Sequence, residues 1–218
     1  MITSRQAMMS YGALIFAMLV LALGLSLADS DLLQVLLRED GPVELLTCAA
    51  YTTCTLYMLL EADNSFLSRY HHLVVVPIAF GLRELDFDRR FTQLGIFSSK
   101  FLFSPIVPVY QKLLGGCVIA AALYVIWRLC RYHWRAFVTG LRQRSEPLSA
   151  GTGLALLLIV LSQSLDGLDR KLGDIGIHIS QGPASEAVVF EETFELGIPF
   201  VFLIMAAYYF TSRQSRPA

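Results

Sequence analysis

An all-α, polytopic membrane helix bundle is the fold class this sequence predicts, and three observations predict it. Of its 218 residues 55% are hydrophobic and 16% charged, where a soluble domain carries about 25% charged and about 45–50% apolar residues. Six stretches are long and apolar enough to form helices across a hydrocarbon core about 30 Å thick, which takes roughly 20 residues. None of the six alternates polar and apolar residues as an outer-membrane barrel strand does. Backbone polar groups in lipid must be satisfied within the segment, which a helix achieves. The composition excludes a disordered chain, which needs low hydrophobicity and high charge. A balance of 17 basic against 18 acidic residues excludes an overall basic nucleic-acid binder.

The spans run 8–28, 42–60, 66–85, 113–129, 148–165 and 188–210. In the first, Arg5, an apolar run and Ser26-Leu27-Ala28 also fit a signal peptide. Its apolar run exceeds the roughly 7–15 residues of a signal core, so it reads as a retained transmembrane helix. The third is the least apolar, because only His72 to Leu82 is free of charge before Arg83 and Glu84. Six spans put both termini on one side. That side then holds nine basic residues and three acids, and the other eight basic residues and fifteen acids. Counting Lys and Arg alone, as the positive-inside rule requires, this is close to a tie. The linker at 128–144 breaks it with Arg128, Arg131, Arg135, Arg142 and Arg144, so both termini are expected in the cytoplasm and the acid-rich face outside the inner membrane.

Between the spans there is no repeat, no low-complexity tract and no appendage large enough for a second domain, so 1–218 reads as one domain. Segment 87–112 carries Phe91, Phe97, Phe101, Phe103 and Tyr110 with Arg89, Arg90, Lys100 and Lys112, and is interrupted by Pro105 and Pro108. It reads as an interfacial or re-entrant segment in the headgroup region, or as a loop packed over helix ends. Residues 173–185, rich in glycine, read as a flexible connection. Cys48, Cys54, Cys117 and Cys130 lie in or at the ends of spans and read as free thiols. His71, His72, His133 and His178 are expected in loops or at helix ends. No haem is therefore expected, since its axial histidines sit inside a bundle, and no three-histidine zinc site.

Ionisable residues in membrane segments are functional candidates by default, and here they gather at the outer ends of spans. Glu39, Asp40 and Glu44 open the second. Glu84, Asp86 and Asp88 close the third, where continued helix would align Glu84 with Asp88 and let Asp86 pair with Arg89 or Arg90. Asp166 and Asp169 close the fifth, and Glu191, Glu192 and Glu195 open the sixth. Acids at helix N-termini are favoured by the macrodipole, whereas Glu84, Asp86, Asp166 and Asp169 sit at C-terminal ends and need a compensating partner. Three readings follow. The acids form structural ion-pair networks; or Glu44, Glu84, Asp86, Asp166, Glu192 and Glu195, with Gln163 and Thr193, bind a hard cation such as calcium or magnesium; or they line a substrate or proton path. The last meets no inverted repeat and no acid in the inner half of any span. No G-x-S-x-G, P-loop, H-E-x-x-H or G-x-G-x-x-G motif occurs. Acid–base work by a carboxylate pair remains open, with Glu195 and Asp166 as the candidate catalytic residues.

The runs REDGPVELLT (38–47), LRELDF (82–87) and Glu191-Glu192 followed by Glu195-Leu196 resemble those of a group of uncharacterised bacterial multi-pass inner-membrane proteins with acidic helix-end motifs. That resemblance implies a polytopic inner-membrane protein and brings no activity. The first run is also distantly similar to the calcium-binding segment of alkaline ceramidases, whose zinc-binding histidines have no counterpart here. The expected function is a carboxylate-rich outer-face site in a divalent-cation-dependent, lipid-directed hydrolase or transferase. The rival is a non-catalytic membrane subunit whose acidic helix ends bind a partner protein. Membrane lipids are the expected surroundings in either case, and nucleic acid is not an expected partner.

Overall fold

The structure is a computed structural model that describes residues 2–38, 41–98, 100–143, 146–178 and 180–214, apart from the side chains of 181, 183, 184 and 214. Glu39, Asp40 and Arg144 lie outside the described residues. The described chain is all-helical: α1 Ser4–Ser26, α2 Ser30–Leu36, α3 Pro42–Glu61, α4 Asn64–Glu84, α5 Phe87–Phe91, α6 Val109–Gln143, α7 Pro147–Leu165, α8 Leu168–Gly173 and α9 Gln181–Gln214. Four of these, α1, α3, α6 and α7, are long and apolar enough to cross a membrane, which makes this a transmembrane protein.

The helix starts are written locally. Thr3 and Gln6 cap each other's backbone amides at the head of α1, a reciprocal pairing that satisfies two otherwise orphaned donors. Proline stands at the first position of α3 and α7, where its missing N–H is not needed. Asp63 caps α4 by accepting from the Phe66 amide at 2.8 Å. Inside α4, Tyr70 leaves helical geometry (φ −123°, ψ 19°) and Pro77 removes a further backbone donor, so the helix bends.

The C-terminal helix α9 is the centre of the bundle, packed most extensively against α7, α3 and α1; α4 lies on α3, and α6 lies along α7 and touches α4. One core cluster holds Tyr11, Met18, Tyr51, Leu158, Ile198 and Val201, and a second holds Cys54, Met58, Phe66, Val74, Ala206 and Phe210. Lipid is as apolar as leucine, so close helix contact depends on small residues that let backbones approach. Gly197 is such a residue: a Cβ there would lie 2.5 Å from Met18. Outward faces carry exposed apolar side chains such as Phe16, Leu60 and Leu123.

Several boundaries differ from the sequence reading. The arginine-rich stretch expected as a linker is helix, since α6 runs unbroken to Gln143, about 50 Å at 1.5 Å per residue. Helix α9 begins at Gln181, inside the expected glycine-rich connection. Segment 87–112 consists of α5, a run of turns and the first turn of α6, with Phe101 fully buried against Gly115. The contact is so close that a Cβ at 115 would overlap the Phe101 ring.

Candidate carboxylate site

Four helices bring acids to one end of the bundle: α3 at its start, α4 and α7 at their ends, and α9 two to four turns in. The geometric centre is Arg83, in the last turn of α4. Its Nη2 donates to Glu195 Oε1 of α9 at 2.9 Å, and its Nη1 stands 3.8 Å from Glu84 Oε1. Both carboxylates are nearly inaccessible, with 6% and 9% of their side chains exposed, while Arg83 is 44% exposed. The guanidinium thus plugs the cluster from the solvent side.

Tyr51 of α3 approaches the same pair from within the core. It is 1% exposed, and its ring stacks on Phe80 at 5.9 Å between centroids and leans on Phe202. Gly81 makes this possible, because a Cβ there would stand 3.2 Å from that of Tyr51. The phenol lies within electrostatic reach of Glu84, Glu195 and Arg83. Neither Tyr51 Oη nor Glu84 Oε1 has a hydrogen-bond partner, although both are buried. Some nine in ten buried polar groups are paired, so two orphans facing one ion pair single out this spot.

The remaining acids extend the cluster. Glu192 is within electrostatic range of Glu195, Glu191 and Glu44, and Glu191 of Glu195, Asp166 and Lys171. Of the six expected metal ligands, Glu84 and Glu192 lie within electrostatic range of each other and of both Glu44 and Glu195, and Asp166 joins through Glu191. Asp86 is placed otherwise: it turns the chain at φ +44°, an uncommon conformation for a side-chain-bearing residue, and pairs with Arg89 at 3.6 Å with 48% of its side chain exposed. That turn ends α4, so Glu84 and Asp88 do not align as continued helix would have them. Asp88 instead accepts from the Ile96 amide at 2.9 Å and folds the following loop.

At the end of α7, Asp166 is the C-terminal cap and Gly167, at φ +55°, reverses the chain. Lys171 then donates to the Gln163 carbonyl at 2.7 Å, which satisfies a terminal carbonyl of the helix. Thr193 is buried and donates to the Val189 carbonyl at 2.7 Å, within its own helix. Among the described residues, no three His, Cys, Asp or Glu side chains stand close enough to hold a metal ion as a ready-made cage. Tyr51 was not singled out in the sequence. The signal was present as the buried stripe Thr47, Tyr51, Cys54 and Met58, which continues at helical spacing from Glu44.

His178 lies in the connection before α9, as expected, whereas the other three histidines do not sit in loops or at helix ends. His71 and His72 are inside α4, directly after its bend at Tyr70, and His133 is inside α6. His72 is fully buried, and its Nε2 lies 3.1 Å from Nε2 of His133, so one ring must donate and the other accept. His71 stacks on Tyr124 and hydrogen-bonds its hydroxyl at 3.3 Å.

No protein-family model, no curated protein and no solved structure matches the chain. Fold and site define a helical transmembrane protein with a buried carboxylate–arginine cluster at one end of its bundle.

Proposed function

We propose that the chain is a six-span inner-membrane protein, with α1, α3, α4, α6, α7 and α9 crossing the bilayer, both termini in the cytoplasm, and the carboxylate cluster at the outer face. In this reading the cluster is a cation site serving lipid-directed hydrolysis or transfer. The observation that carries it is the pair of buried atoms without a hydrogen-bond partner, Glu84 Oε1 and Tyr51 Oη, near the Arg83–Glu195 contact. A magnesium ion is commonly held by one or two carboxylates, with waters and substrate oxygens completing its shell. Glu84 and Glu195 suit that mode, and Glu192, Glu44 and Asp166 supply negative potential around it. A cation there would polarise an ester or phosphate oxygen and lower the pKa of a bound water. Glu195 and Asp166 are the acid–base candidates for the accompanying proton transfers.

Elemental analysis and calorimetric titration of the purified full chain test this. The wild type should retain a divalent ion at one per chain, lose it to chelator, and regain it on adding magnesium or calcium, while Glu84→Gln and Glu195→Gln should not. Absence of retained metal and of any binding heat in a folded wild type would remove the cation reading. The 2.9 Å Arg83–Glu195 contact favours a second reading, a non-catalytic subunit in which Arg83 ties α4 to α9. In that case cation binding is absent and the arginine and glutamate variants affect stability alone.

A further inference from the structure

At the opposite end of the bundle, where α4 begins and α9 ends, lies an open cavity of about 380 Å³ floored by Phe66 and lined by Ser65, Ser68, Arg69, Tyr70, Tyr209 and Arg213. Its two arginines are placed differently. Arg213 donates to both carboxylate oxygens of Asp63, at 2.9 and 2.8 Å, and to Ser65 Oγ at 2.9 Å. That fork is therefore satisfied, and the charge of Asp63 is matched. Arg69 is exposed, and its guanidinium has no ion pair or hydrogen bond among the described residues. Its backbone carbonyl, one residue before the Tyr70 break, accepts from Arg128 Nη2 of α6 at 2.6 Å. The Arg128 guanidinium lies over the Tyr132 ring at 4.5 Å, and its Nε is buried without a partner. The Arg69 guanidinium, the hydroxyls of Ser65 and Ser68, and Arg213 from α9 thus line one open volume.

The depth of the cavity narrows the ligand. On α6, Trp127, Tyr132 and Trp134 are all more than half exposed near Arg128, and exposed Trp and Tyr of a membrane helix mark the headgroup level. Phosphate groups of phospholipids lie at that level. Arginine recognises phosphate by paired charge-assisted hydrogen bonds, and basic pockets between transmembrane helices bind anionic headgroups.

We infer that this cavity binds a phosphate group, delivered by the headgroup of an anionic phospholipid, with Arg69 as its principal contact. The site is separate from the carboxylate cluster and does not depend on what that cluster does.

Native mass spectrometry of the detergent-purified full chain tests the inference with three probes: dioleoylphosphatidylglycerol, dioleoylphosphatidylcholine and inorganic phosphate. The wild type should retain phosphatidylglycerol, with affinity falling about ten-fold in Arg69→Gln, recovering in part in Arg69→Lys, and unchanged in Arg142→Gln. Competition by inorganic phosphate, with the same dependence on Arg69, supports recognition of the phosphate itself; its failure to compete supports recognition of the whole headgroup. Phosphatidylcholine retained as well as phosphatidylglycerol, with the same Arg69 dependence, overturns the anionic-lipid source. Binding of inorganic phosphate alone, with no lipid retained, overturns the lipid source. Equal phosphatidylglycerol retention by wild type and a monodisperse Arg69→Gln variant overturns the inference altogether.

Discussion

Arg83 shows how a single side chain governs the carboxylate cluster. Removing one partner of a fully buried pair costs about 3–5 kcal/mol, because the other charge is stranded. Arg83 is 44% exposed, so water can partly replace it, and Arg83→Gln should cost about 1–2 kcal/mol. Adding Glu195→Gln in that background should recover most of the loss, and a double-mutant cycle on thermal unfolding measures it. At the other end, Asp63 is held at about 2, below the ordinary 3.8, chiefly by the Arg213 hydrogen bonds, then by the Phe66 amide and Ser65. A depressed carboxylate stabilises the fold above its ordinary pKa and stops doing so as it is protonated. The contribution is therefore complete above about pH 4 and fades toward pH 2, and Asp63→Asn should abolish that component of a stability-against-pH profile. The sequence alone named Glu84 and Glu195, because charged residues stand out in an apolar segment. It did not reveal Tyr51, whose hydroxyl matters only because Gly81 lets α4 come close enough to bury it.

Among the elements, α6 and its preceding loop separate what periodicity can and cannot show. The apolar run at 113–129 announced a helix. Its continuation to Gln143 was concealed because arginines read as linker, although Arg128, Arg131 and Arg135 recur at helical spacing and a helix leaving the bilayer tolerates them. The loop is pinned to α6 by Phe101 on Gly115. Gly115→Ala gains about 1 kcal/mol in helix propensity and loses more to overlap with the ring, since overpacking costs about 1–3 kcal/mol. Hydrogen exchange should then rise through the stretch around Phe101 and stay unchanged in α9; equal exchange in both proteins would show that the contact does not hold the loop. The bend of α4 at Tyr70 also escaped the sequence, and it accompanies the seating of His72 against His133.

For the whole molecule, the proposed six-span topology predicts that reporter fusions at the N-terminus and after residue 214 are active on the cytoplasmic side. A fusion at Asp169, between α7 and α9, should be active outside, and a single inverted result would require recounting the spans. Length, apolarity and the absence of alternation were enough to determine a helical membrane protein, because hydrocarbon allows a spanning backbone to satisfy its own hydrogen bonds in very few ways. They also showed that charge clusters outside the apolar runs, since burying it in hydrocarbon is costly. Which charges meet was decided by tertiary structure alone. The central position of α9 brings Glu195 to Arg83 across 112 residues of sequence, and the turn at Asp86 separates Asp88 from Glu84. Such pairings depend on helix order and rotation in the bundle, which a chain read one segment at a time does not carry.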